Sequence, residues 1–220
     1  MKLFVGIDLG EAGNHTAIAA VERAKLDKPI VRQKYRYVVR FLEEYELGIH
    51  YPEQIERMKA TLSHEAFKGS LVAADYTGVG RPVIQMMKKQ RVHPGLKPIL
   101  ITSGNASTVD KESGGYHVPK RDLVGTLQIL LQADLLHWHP KLKDAAKLAK
   151  QLQAFKVRIT RAKNETFGAE GRDQDDIVLA VALACWMGEN VGAGDVSGII
   201  LPGDGKGSVV ASAPRGVFET

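Results

Sequence analysis

The chain has 220 residues, 44% of them hydrophobic and 25% charged, enough apolar material for one domain with a full core and no disulfide or metal staple. Its one cysteine, Cys185, excludes an intrachain disulfide framework and a cysteine-rich zinc site, and fits a reducing compartment. The net charge of +5 permits a polyanionic partner without requiring one.

The first apolar run, ended by Asp8, is too short for a signal peptide, and no stretch approaches the roughly 18 apolar residues of a membrane span. No membrane partner and a cytoplasmic location are expected. Residues 2–9 (KLFVGIDL) and 16–22 (TAIAAVE) flank a glycine-containing turn and predict a β-hairpin; the Val- and Tyr-rich run 30–40 predicts a third strand. Pro52 opens a helical segment in which Ile55, Met58 and Leu62 recur at roughly helical spacing. Ser70-Leu-Val-Ala-Ala-Asp75 has the texture of a central strand buried on both faces. Residues 82–91 read as a helix and 97–102 as another buried strand. The polar stretch 103–118, with three glycines, reads as a mobile loop or hairpin on the surface. A helix follows over 119–133, then a short edge strand around His137 and His139. Residues 140–156 form an amphipathic helix with Leu142, Ala145, Ala149 and Leu152 on one side and Lys143, Lys147 and Lys150 on the other. The last helix, about 174–188, is apolar nearly all round and should lie across the sheet. From Gly188 onward the chain holds eight glycines and few apolar residues, with Ile199-Ile-Leu201 as one possible short strand. The expected organisation is an α/β domain over 1–188, with a mixed sheet flanked by helices, and a flexible Gly-rich tail over 189–220.

Three acidic positions stand out. Asp8 and Asp75 each end an apolar strand, where a carboxylate is costly to bury without a partner. Arg172-Asp-Gln-Asp-Asp176 heads the apolar helix; one aspartate suffices as a cap, so Asp175 and Asp176 together are surplus. Binding sites of open α/β sheets lie at the carboxyl ends of strands, and an N-terminal helix turn can complete a cluster there. Converging carboxylates repel and take up protons unless a cation sits among them. Hard oxygen ligands suit Mg²⁺ or Mn²⁺, and two such ions about 3.5–4 Å apart can drive phosphodiester hydrolysis.

Phe4-Val-Gly-Ile-Asp8, Val72-Ala-Ala-Asp75-Tyr-Thr-Gly-Val-Gly80 and Asp175-Asp176-Ile-Val-Leu-Ala-Val-Ala-Leu-Ala184 together resemble the nuclease domain of bacteriophage large terminases, within the RNase H-like superfamily. The resemblance runs through about residues 1–188. It implies an RNase H-like fold and a two-metal endonuclease that cuts concatemeric viral double-stranded DNA during packaging. Asp8 would then bridge two Mg²⁺ or Mn²⁺ ions, Asp75 would bind one, and the Asp175–Asp176 pair would supply the third ligand. Asp176 is favoured as the third catalytic aspartate, because it follows Asp173 at a spacing like the acid pair of RuvC-type resolvases. Asp173 and Glu11 are second-tier candidates. Large terminases carry an ATPase motor before the nuclease, and this chain has no phosphate-binding Gly-x-x-x-x-Gly-Lys-Ser/Thr run. A separate packaging ATPase, or a portal or small-terminase component, is therefore an expected partner, and the chain reads as an excised domain or a stand-alone protein.

Lys120 and Arg121, at a helix start, and the Lys143/Lys147/Lys150 face are the candidate DNA contacts. The competing readings are a resolvase-like nuclease, which requires a dimer and branched DNA, and a non-catalytic DNA-binding or assembly module. An actin-type ATPase fits less well, since no second phosphate loop follows Gly6-Ile-Asp-Leu-Gly10.

Overall fold

A computed structural model describes residues 2–10, 13–30, 33–161 and 175–191, the side chains of 156–161 excepted. Glu11, Asp173 and, of the expected tail, residues 192–220 with Ile199–Leu201 lie outside the described residues.

The strands are β1 (Lys2–Asp8), β2 (Ala17–Ile30), β3 (Gln33–Glu44), β4 (Leu71–Asp75), β5 (Leu96–Thr102), β6 (Thr108–Asp110), β7 (Gly115–Pro119) and β8 (Leu136–Trp138). They form one sheet in the order β6-β7-β5-β4-β1-β2-β3-β8. The helices are α1 (Tyr51–Leu62), α2 (Arg81–Lys89), α3 (Lys120–Gln132), α4 (Ala145–Arg161) and α5 (Asp176–Asn190). β1, β4, β5 and β7 run parallel to one another, and β1 is antiparallel to β2, itself antiparallel to β3. The carboxyl ends of β1, β3, β4, β5 and β7 therefore share one edge of the molecule.

Two apolar layers sandwich the sheet. Along β1 the side chains alternate: Val5 and Ile7 join Ile55, Met58, Val83 and Met87 beneath α1 and α2, while Phe4 joins Leu123, Leu127, Leu148 and Val181 beneath α3, α4 and α5. Burial on both faces is why β1 and β4 read as unbroken apolar runs. α5 lies directly on β1. A Cβ at Gly6 would meet the Ala180 carbonyl oxygen at 1.9 Å, so only glycine permits this approach. Helix α5 is buried from Ile177 to Gly188 apart from Leu179, as its all-round apolar sequence requires.

Three expectations are corrected in extent. β3 continues past residue 40 to Glu44, pairing with β2 around a register shift at Ala20/Val21. The stretch 103–118 contains a hairpin, β6–β7, as one of the two expected forms, but β7 enters the sheet beside β5 with Gly115 and Val118 buried, so it does not lie wholly on the surface. Helix α4 begins at Ala145 because Asp144 has φ +60, a left-handed conformation that a helix cannot contain.

Candidate active site

Asp8 and Asp75 are direct partners in the parallel β1–β4 ladder. Paired positions on neighbouring strands present their side chains to the same face. For this row it is the α5 face, since Phe4 and Ala73, an even number of residues away, lie in the α5-side core. The two carboxylates are 9% and 8% exposed, although each ends a strand. α5 begins beside them at Asp176, with Asp175 in the N-cap position; Asp175 makes no side-chain capping bond, so the cap does not explain the acids there. Gln151 of α4 instead accepts the Val178 amide at 3.3 Å and holds this helix start in place.

The electrostatics record the convergence. Burial raises the Asp8 carboxyl well above its usual range, and Asp75, Asp176 and Asp175 raise it further, against a smaller opposing pull from Lys120. Burial also raises Asp75, opposed by two hydrogen bonds from Thr77 and by Lys120. Asp176 is pushed up to about 6, by burial first, then by Glu44 and Asp175, with His15 opposing. Lys120, the first residue of α3, stands at the end of β7 and acts on both sheet aspartates. Arg121 is turned away, bonded to Asn105 and Asp122. Lys143 pairs with Glu43 at 3.8 Å and Lys147 with Glu44, while Lys150 is exposed. Asp8, Asp75, Asp175, Asp176 and Lys120 are thus brought together; Arg121 is not among them.

Two contributors escape a sequence reading. The Thr77 hydroxyl donates to Asp75 Oδ1 at 2.5 Å and accepts the Ile101 amide at 2.7 Å, which fixes one carboxylate oxygen and ties it to β5. Glu44, at the end of β3, is the second: its signal was the same as that of Asp8 and Asp75, an acid closing a strand, but the strand's alternating texture concealed its end.

Among the described residues no three His, Cys, Asp or Glu side chains form a preassembled metal cage. Asp75 Oδ1 is held by Thr77 and Glu44 is held by Lys147, and Asp75, Asp176 and Asp175 all act to raise the buried Asp8 carboxyl. The donor set nevertheless fits a hard divalent cation. It consists of carboxylates, two of them one strand spacing apart on a rigid sheet, in surroundings that penalise their charge until a cation neutralises it.

No protein-family model matches the chain, and no curated protein does. Solved structures do. The large terminase nuclease domain of bacteriophage SPP1, solved with bound Mn, aligns at 11% identity over 84% of this chain and 85% of that one, with a TM-score of 0.50. The fold is RNase H-like. The large terminase nuclease of thermophilic phage G20c aligns at 21% identity over 83% and 80% of the two chains, TM-score 0.49. RuvC of Thermus thermophilus aligns at 12% identity over 84% and 91%, TM-score 0.40. For this RNase H-like chain the acids thus sit where the sheet's parallel strands end. A groove of about 820 Å³ lined by Leu3, Phe41 and Phe67 opens elsewhere, near the start of β1, and plays no part in the site.

Proposed function

We propose that the chain is a divalent-metal-dependent endonuclease that cuts double-stranded DNA, of the kind found in large terminases. The observation that carries this reading is the in-register pair Asp8–Asp75 beside the Asp175–Asp176 turn of α5, four acids of which three raise the buried carboxyl of the fourth, Asp8, against a smaller pull from Lys120.

In this reading Asp8, Asp75 and Asp176, with Asp175 beside it, would hold two Mg²⁺ or Mn²⁺ ions. When bound, such ions supply an activated water and stabilise the leaving oxygen of a phosphodiester. The protein's part is positioning. Thr77 fixes the rotamer of Asp75, so that its second oxygen keeps one direction. Gly6 lets α5 rest on β1, which sets the distance of Asp176 from Asp8. Lys120 adds positive charge on the α3 side, where a phosphate would approach. Lys143, Lys147 and Lys150 provide further cations from the α4 side, and Arg121 a flanking one. A role in packaging, with a separate motor, portal or small-terminase component, is the biological setting this reading suggests.

The test is incubation of purified protein with supercoiled plasmid in Mg²⁺, Mn²⁺ and chelator, beside a four-way junction. Nicking and linearisation of plasmid with either ion, absent in chelator, is the expected result. No cleavage with either ion at micromolar protein overturns the reading, and cleavage confined to the junction redirects it to a resolvase.

A further inference from the structure

The acidic row is longer than the sequence suggests. Asp75 pairs with Asp8, Asp8 with Ala17, and Ala17 with Glu44, so one line crosses β4, β1, β2 and β3. Residues paired in this way share a face, and Ala17 lies in the core beneath α5. Three carboxylates and one methyl group therefore form one row on the α5 face of the sheet.

The state of Glu44 is unusual. Its side chain is 4% exposed, with Lys147 Nζ on Oε2 and His15 Nδ1 3.7 Å from the same oxygen. The His15 ring nitrogen is already engaged with the Tyr45 carbonyl at 2.7 Å. The other oxygen, Oε1, is buried and accepts no hydrogen bond among the described residues. A buried carboxylate oxygen left in that condition is costly unless a ligand uses it. Lys147, by contrast, is 43% exposed and reaches in from α4, so its ammonium can leave towards solvent at little cost. After burial, Glu44 exerts the strongest influence on Asp176, so its charge faces the candidate site.

We propose that Glu44 is a further acidic residue of the cation site and that Lys147 is its exchangeable counter-ion, displaced when a divalent cation enters and then free to meet a substrate phosphate. This rests on the divalent-cation reading of the site. Without metal, Lys147 neutralises one oxygen of Glu44. With metal, Glu44 turns its charge to the row and the lysine is released on the side from which DNA would approach. One ammonium thus serves the empty site and the loaded site in turn.

Calorimetric titration of Mn²⁺ into the full chain without DNA tests this, using wild type, Glu44→Gln, Lys147→Gln and Asp8→Asn. Glu44→Gln should weaken Mn²⁺ binding about 10-fold, the size of effect seen when groups around a metal are removed. Lys147→Gln removes the competing cation and should tighten Mn²⁺ binding severalfold. Opposite signs for two residues in contact cannot arise from damage to the fold. If both variants keep wild-type Mn²⁺ affinity while Asp8→Asn loses it, Glu44–Lys147 is a structural ion pair and the proposal falls alone. If wild type takes up no Mn²⁺, the cation-site reading fails and the proposal with it.

Discussion

Buried or half-buried carboxylates stand at both ends of α5, and they are treated in opposite ways. At the far end Glu189 accepts a hydrogen bond from the Tyr37 hydroxyl at 2.7 Å, and Arg23 and Lys34 pull against the effect of burial. Arg23 donates to the Gly188 carbonyl and lies over the rings of Phe4, at 5.0 Å, and Tyr35, at 4.1 Å. Gly188 is needed there, since a Cβ would meet Tyr37 at 2.6 Å. At the near end Asp8 is surrounded by three other carboxylates and offset by Lys120 alone among the groups that act on it most. The same helix thus connects a carboxylate held by a tyrosine hydroxyl and drawn on by two cations to a group of acids whose charges act against one another. The first arrangement anchors α5 on the sheet; the second makes sense if a cation completes it.

The comparison is broken most directly at the near end. Asp8→Asn, Asp75→Asn and Asp176→Asn should each lower plasmid cleavage by about 10³-fold or more, equivalent to about 4 kcal/mol of barrier. Asp8→Asn should at the same time raise the metal-free Tm by about 2–4 °C, because removing one charge relieves the repulsion. Thermal melts in chelator check this. A marked loss of stability in all three variants would make the near-end acids structural, like Glu189.

At the far end the expected sign is reversed. Arg23→Ala removes the donor to Gly188 and the cation that helps hold Glu189, and should cost about 3 kcal/mol in urea unfolding. Tyr37→Phe removes one hydrogen bond to a carboxylate and should cost about 1.5 kcal/mol. Neither should alter the Mn²⁺ dependence of cleavage. A variant that keeps its stability but changes metal dependence would show that the two ends are coupled through α5.

A smaller effect appears in the pH dependence of stability. Asp8 and Asp176 have folded pKa values above those of the unfolded chain, that of Asp176 about 6. The folded state then binds more protons than the unfolded one, so metal-free stability falls as pH rises from about 4 through 6. Asp176 is only partly buried, and with solvent screening its share is about 1 kcal/mol. Saturating Mg²⁺ should flatten the curve. Urea titrations at a series of pH values, in chelator and in Mg²⁺, measure both, and an identical slope in the two conditions would argue against cation binding at these acids.

What could be read from the sequence follows from which interactions are local. Asp8 and Asp75 each interrupt an unbroken apolar run, and α5 announces itself by being apolar on every side, so the sheet centre, the buried helix and three acidic positions were all legible. Glu44 was not, because β3 alternates exposed and buried residues and its end carries two glutamates that read as solvated. Thr77 depends on the Ile101 amide of a neighbouring strand, and Lys147 on a glutamate more than a hundred positions away. Those pairings exist only once α4 and β5 are packed in place. The same holds at the far end, where nothing near Arg23 in the chain hints at Gly188.

The lysines of the α4 side sharpen the comparison last and by the smallest margin. As a free face, Lys143, Lys147 and Lys150 would each neutralise a phosphate, and their joint replacement by Gln would flatten the salt dependence of DNA binding by up to about three units of slope. Two of the three are instead paired, Lys143 with Glu43 and Lys147 with Glu44, and a lysine that already neutralises a carboxylate releases few counter-ions when DNA arrives. In chelator the triple replacement should therefore change the slope by only about one unit, the contribution of exposed Lys150. In Ca²⁺, offered as a divalent ion with little capacity for cleavage, release of Lys147 from Glu44 should bring the change to about two. Fluorescence anisotropy of a labelled duplex across a range of salt, with and without Ca²⁺, resolves a difference of this size. A change of three units in both conditions would mean that the ion pairs to β3 are too weak to matter and that this face meets DNA as an unpaired surface. No change in either would return all three lysines to solvent.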